Sequence, residues 1–127
     1  MAKRTPEGKV KSQLLACLAE IKDCFYYMPV QNGMGQSGIP DVIAIIGGVA
    51  FGLECKATRK QKPTTLQAIQ LERIANAKGY AWVVDAENVA NVVETLTEFN
   101  RSRKLVALND VDPSVMRWQE KLEVYDL

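Results

Sequence analysis

The chain has 127 residues, 47% of them hydrophobic and 24% charged, with a formal net charge of +1, the composition of an ordinary globular chain with room for one core. It contains no histidine, which removes Ser-His-Asp chemistry, histidine-based nuclease sites and nearly all zinc hydrolases. Any bound metal must therefore rely on oxygen ligands, which favours Mg2+ or Mn2+.

No apolar run is long enough to span a bilayer, and Met-Ala-Lys-Arg-Thr-Pro at the start has no signal-peptide core. Cys17, Cys24 and Cys55 are odd in number and form no Cys-x-x-Cys pair. They read as reduced thiols, and the expected compartment is cytoplasmic. Charge is uneven: residues 1–62 carry nine Lys and Arg against five Asp and Glu, and residues 63–127 carry seven against ten. The basic half permits a nucleic-acid face, and plain solvated surface charge explains it equally well.

Thr5-Pro6-Glu7 predicts a helix start, with Thr5 as N-cap and Pro6 in the first turn. Val10, Leu14, Cys17, Leu18 and Ile21 continue at helical spacing, so the first helix is expected over about 6–23. Glu7 falls near its buried stripe, where it also complements the helix dipole. Cys24 to Val30 predicts a first strand.

The loop 31–38 contains Gly33-Met34-Gly35-Gln36-Ser37-Gly38, which matches the letters of the dinucleotide fingerprint. That motif needs a following helix to receive the pyrophosphate. Ile39-Pro40 and a β-branched run follow instead, so no nucleotide cofactor is expected. A polar loop that admits a nucleic-acid backbone fits better.

From Asp41 to Ala57 two apolar runs flank Gly47-Gly48, a hairpin signal. Alternation puts Glu54 and Lys56 on one face and Leu53, Cys55 and Ala57 on the other. Pairing brings Asp41 towards Glu54. Two carboxylates and an ammonium in the core sheet are costly unless a cation or an anionic substrate uses them. A basic linker, Thr58 to Pro63, leads to a helix capped by Thr64 or Thr65 and running to about Lys78, stopped by Gly79. Gln67, Leu71, Ile74 and Lys78 share one of its faces; Gln70 is a more exposed alternative to Gln67.

Tyr80 to Val84 predicts a fourth strand, and Asp85 caps a third helix carrying Val89, Val92, Val93, Leu96 and Phe99. Beyond Arg101 lie an apolar patch, Leu105 to Leu108, and a short helix expected from Pro113 to Lys121. Trp118 and Tyr125 can pack on the domain or on a partner. No repeat or low-complexity tract interrupts the chain, and one domain is expected over 1–127, with a core of about 5–100 and a C-terminal extension of about 101–127. The order is helix, three-stranded meander, helix, strand, helix: an α/β chain with a mixed sheet flanked by helices.

In this arrangement Asp41 and Glu54, with the Cys55 carbonyl, can hold a divalent cation. Lys56 can orient a water or stabilise charge on phosphorus, and Gln67 can hold Lys56 or the water. Gly38-Ile39-Pro40-Asp41, Glu54-Cys55-Lys56 and Leu66-Gln67 before a helix ending at Gly79 resemble the VRR-NUC family of PD-(D/E)xK nucleases. Thr5 to Lys11 and Met28 to Gly33 are similar to its small stand-alone, phage-associated members. The resemblance covers residues 5 to about 84; the valine-arginine-arginine signature of the family name is not visible as such.

The resemblance implies a restriction-endonuclease-like core and Mg2+- or Mn2+-dependent phosphodiester hydrolysis. It implies Asp41, Glu54 and Lys56 as central residues, Glu7 as an acidic contributor and Gln67, rather than Gln70, as the residue completing the motif. It further implies a homodimer acting on branched DNA such as Holliday junctions, in the host cytoplasm if phage-encoded. Lys9, Lys11, Asn32, Gln36, Ser37, Arg59, Lys60 and Lys62 are the candidate DNA contacts. The alternative is a non-catalytic nucleic-acid-binding module of the same fold; a structural protein without DNA affinity is the third reading.

Overall fold

A computed structural model describes residues 5–30 and 37–102. Thr5 caps the first helix, α1 (Pro6–Leu18), by accepting a hydrogen bond from the Gly8 N–H at 3.0 Å, with Pro6 opening the helix. Val10, Leu14 and Leu18 are its buried residues. The helix is shorter than the spacing predicts. After Leu18 the backbone tightens, with Glu20 N–H bonding to the Cys17 carbonyl and Ile21 N–H to that of Leu18. Asp23 then turns at φ 61°, and this reversal starts the first strand, β1 (Cys24–Tyr27). That strand also ends early: Pro29 has no N–H to give a ladder, and Met28 and Val30 are exposed.

β2 (Val42–Ile46) and β3 (Val49–Cys55) form the expected hairpin. Gly47 at φ 58° and Gly48 at φ 80° fill a turn that requires two left-handed residues. α2 (Thr65–Asn76) then crosses to β4 (Tyr80–Val84), which lies parallel to β3. The sheet order is β1-β2-β3-β4, antiparallel except for the last pair. With α3 (Val89–Ser102), the described chain is α/β, a mixed four-stranded sheet with three helices.

Every residue from Phe51 to Cys55 is buried, because both faces of β3 are covered. Phe51, Leu53 and Cys55 join Val10 and Leu14 of α1 and Val92, Leu96 and Phe99 of α3 in the main core. Gly52 and Glu54 turn to α2. A Cβ at Gly52 would stand 2.6 Å from Ile74 Cδ1, so glycine lets α2 settle onto the strand.

α2 stops two residues before the expected Lys78. Lys78, at φ 72°, is the left-handed residue of the terminus, and the N–H of Gly79 bonds to the Ile74 carbonyl at 3.0 Å, a Schellman ending. Gly79 has another role: a Cβ there would lie 2.9 Å from the Ala50 carbonyl oxygen. Lys78 is accordingly exposed, not on the docked face.

Asp85 does cap the last helix. Its Oδ1 accepts from the N–H groups of Glu87 and Asn88 at 2.9 and 3.0 Å, while Asn88 Oδ1 accepts from Asp85 N–H at 2.8 Å. No helix among the described residues is long and apolar enough to cross a membrane. The patch Leu105–Leu108 and the helix expected over 113–121 lie outside the described residues.

Candidate active site

The hairpin register sets Val42 opposite Leu53, which brings Asp41 to the level of Glu54. Val42, Ala44 and Ile46 fill the main core, so alternation turns Asp41 to the α2 face. Its Oδ2 accepts a hydrogen bond from Cys55 N–H at 2.8 Å, tethering the carboxylate to the end of β3. The ladder continues on the other side, where Lys56 N–H bonds to the Val84 carbonyl at 2.8 Å.

Glu54 is only 2% exposed. Its Oε2 accepts from Gln67 Nε2 at 2.9 Å and lies 3.6 Å from Lys56 Nζ. Its Oε1 is buried and accepts no hydrogen bond from any described residue. Lys56 Nζ donates to Gln67 Oε1 at 3.0 Å, closing a ring of three side chains.

The orientation of Gln67 comes from the helix start. Thr64 is the N-cap, its hydroxyl accepts from Gln67 N–H at 3.2 Å, and Gln67 Oε1 accepts in return from Thr64 N–H at 2.9 Å. This capping box fixes one end of the amide and leaves the other to hold Glu54. Gln70 plays no part in the ring; its Nε2 donates to the Ser37 carbonyl at 3.2 Å.

Burial, followed by the nearby Asp41 charge, raises Glu54 to about 8 against the pull of Lys56. A side-chain hydrogen bond with Asp41 and the charge of Glu7 push the same way. The Glu54 carboxyl therefore carries its proton at neutral pH when no cation is bound. Burial likewise pushes the Cys55 thiol up, with Asp41 and Glu54 adding to it, so the Cys55 side chain is an inert core group.

The charge of Glu7 on α1 thus acts on Glu54 and Cys55, and Lys11 acts on Cys55 in the opposite sense. Lys9, Ser37, Arg59, Lys60 and Lys62 are exposed and Lys11 is half-buried. Arg59 stands 3.4 Å from Glu87 in a solvent-exposed pair, a contact that adds little to stability. Asn32 and Gln36 lie outside the described residues.

One residue that sequence reasoning missed shapes the basic turn: Gln61 Oε1 accepts from the N–H groups of Ala57 and Thr58 at 2.9 and 3.3 Å. Nothing in the apolar periodicity marks it. Gly38 matters for another reason. It has φ +80°, and a Cβ there would stand 2.5 Å from the Leu66 carbonyl carbon. Gly38→Ala is therefore expected to cost about 2–3 kcal/mol and to push apart Asp41 and the start of α2. A urea midpoint equal to that of the wild type would refute this.

No protein-family model matches the chain, and comparison with curated proteins and with solved structures finds no match.

Among the described residues no group of three or more His, Cys, Asp and Glu side chains is assembled to hold a metal ion. Mg2+, however, keeps several waters and commonly takes only one or two carboxylates beside substrate phosphate. Asp41 and Glu54 fit that need, since Glu54 presents an oxygen with no donor and both acids face one corner of the sheet.

Proposed function

We propose that the chain is a divalent-metal-dependent DNA endonuclease with a restriction-endonuclease-like core of the VRR-NUC type. The observation that carries this reading is the Lys56–Gln67–Glu54 ring beside Asp41, with one Glu54 oxygen buried and undonated. A buried carboxyl raised to about 8 beside a second acid is suited to a cation, which would take the place of its proton.

Asp41, Glu54 and the Cys55 carbonyl would hold Mg2+ or Mn2+, with Glu7 adding negative field. Such an ion polarises a phosphoryl oxygen and lowers the pKa of bound water. Lys56, only 12% exposed at its side chain, presents an ammonium towards the charge that develops on phosphorus. Gln67 keeps that ammonium aimed and spaces it from Glu54. Lys9, Lys11, Arg59, Lys60 and Lys62 supply charge for the DNA backbone.

A homodimer follows from the chemistry of cutting two strands: one chain offers one such site, and a twofold axis supplies the second. Branched DNA, including Holliday junctions, is the substrate class that this symmetry suits.

The test is a panel of nicked, flapped, junction and duplex DNAs with Mg2+, Mn2+ or chelator, run beside Asp41→Asn. Cleavage that needs metal and Asp41 supports the reading. No cleavage of any substrate would end it. Within the same reaction, Lys56→Ala is expected to lower the single-turnover rate by roughly 10²-fold. Metal affinity by calorimetry should stay within a few-fold, because the ammonium is not a ligand. An equal loss in both would mean that Lys56 serves only to build the site.

A further inference from the structure

A groove opens on the α2 side of the sheet, beside the candidate active site. Across one level of the sheet Tyr27 pairs with Ile43, and Ile43 with Gly52. Ile43 stands two residues from Asp41, so alternation sets both on the α2 face, and Tyr27, directly opposite Ile43, shares it. Gly52 carries no side chain, and Ile74 of α2 occupies the space over it. Between Tyr27 and Ile74 lies a cavity of about 340 Å³, with Pro40 in its wall and Gln70 and Arg73 on the helix side.

Size and lining together narrow the occupant. Sites for small molecules run from about 300 to 1,000 Å³, so this groove takes one heterocycle and has no room for a helix. Its wall is aromatic and aliphatic, and Tyr27 offers a ring that is 47% exposed. A cation stands at the edge: Arg73 is exposed, and its Nη1 donates to Gln70 Oε1 at 3.5 Å. Gln70 is itself fastened to the loop ahead of Asp41, through its Nε2 and the Ser37 carbonyl at 3.2 Å. A flat ring joined to a phosphate matches both parts, the ring by stacking and the phosphate by charge. A nucleotide has that chemistry.

The register says which nucleotide. Pro40 directly precedes Asp41, and at the rise of a strand Ile43 lies about 7 Å beyond Asp41. A base held over Ile43 therefore belongs next to the phosphate that Asp41 and Glu54 would engage.

We propose that the groove receives one unpaired nucleobase of the DNA, stacked on Tyr27, with an adjoining phosphate at Arg73. The inference rests on the nuclease reading for the polymer and for the phosphate beside Asp41. A base within a duplex is stacked on both faces and enters such a groove only by unstacking, at a cost that is least where the nucleotide is already unpaired. The groove thereby selects DNA by its structure and tolerates any sequence, since every base has a π-face.

The test reads binding by fluorescence anisotropy in chelator, so that no cleavage is needed. The probes are a duplex with a short thymidine gap and the same duplex with the gap nucleotides abasic. Wild type is expected to bind the first roughly tenfold more tightly than the second. Tyr27→Ala should bind both alike, and so should Ala77→Phe, which fills the groove from α2 without touching the sheet. Tyr27→Phe should keep the preference, because the ring stacks and the hydroxyl does not. Three results overturn the proposal: a wild type that binds both probes alike or binds neither, a preference that survives in Tyr27→Ala or Ala77→Phe, or its loss in Tyr27→Phe. Cleavage of the gapped duplex in Mg2+ is followed in parallel. Cleavage without the binding preference removes the groove and leaves the nuclease reading. The preference without cleavage removes the nuclease reading and leaves the groove as a base-binding site.

Discussion

Glu54→Gln is expected to abolish divalent-cation-dependent DNA cleavage, by roughly 10³-fold or more, while DNA binding is kept or tightened. The amide is nearly isosteric, so Gln67 Nε2 retains an acceptor at the position where Glu54 Oε2 now stands 2.9 Å away. What would disappear is the group that ionises when a cation binds, and with it the charge it would place beside the proposed phosphate site. Asp41→Asn should behave alike, since an amide oxygen can still accept the Cys55 N–H now bonded at 2.8 Å. Binding is read by mobility shift in Ca2+ or chelator, and cleavage by single-turnover assay in Mg2+ and Mn2+. A variant that cuts at the wild-type rate would remove the acids from catalysis. One that loses binding and cleavage together, with a lowered melting temperature, would show them to be structural.

The metal-free protein is expected to lose stability as pH rises from about 4.5 to about 8. Glu54 titrates near 4.5 when unperturbed and is raised to about 8 in the fold, first by burial and then by Asp41. Between those values the native state binds more protons than the unfolded chain, so each step up in pH favours unfolding. Stabilisation is full below about 4.5 and gone above about 8. The whole shift sets an upper bound of about 5 kcal/mol, which relaxation around the buried group lowers.

Two consequences distinguish this from a general pH effect. Glu54→Gln should flatten the slope, because an amide does not titrate. Mg2+ or Mn2+ should raise the melting temperature more at pH 8 than at pH 5, since ligation requires the deprotonated carboxylates. Melting curves at five pH values, with chelator and with metal, measure both. A metal-free protein that gains stability towards pH 8 would contradict the burial of a protonated Glu54.

Much of the site was legible in the chain because strand alternation and hairpin pairing are short-range rules. Glu54 and Lys56 stand two apart, so they share a face wherever that strand goes. Gly47-Gly48 sets the turn, and the turn sets the register that carries Asp41 to Glu54. Thr64 with Gln67 is a capping-box spacing, which explains how a helix-start residue could also be a site residue. Element ends were less legible. α1 stops at Leu18 because the chain must reverse through Asp23 to reach the sheet edge, and no local preference marks where that edge lies.

Residue order alone determined the element types, the hairpin and the short list of acids, because periodicity and turn chemistry act over a few residues. It left open whether Gln67 or Gln70 faces the acids, and it gave no hint of the Gln61 turn. The packing of α2 across β3 and β4 decided the first; the Gln61 turn rests on contacts within five residues of chain. That packing buries Glu54, raises its pKa and closes Lys56, Gln67 and Glu54 into a ring, and all three depend on a helix docking at a distance no spacing rule specifies. Among the described residues, the same packing leaves Phe25, Tyr27 and Ile45 of β1 and β2 exposed.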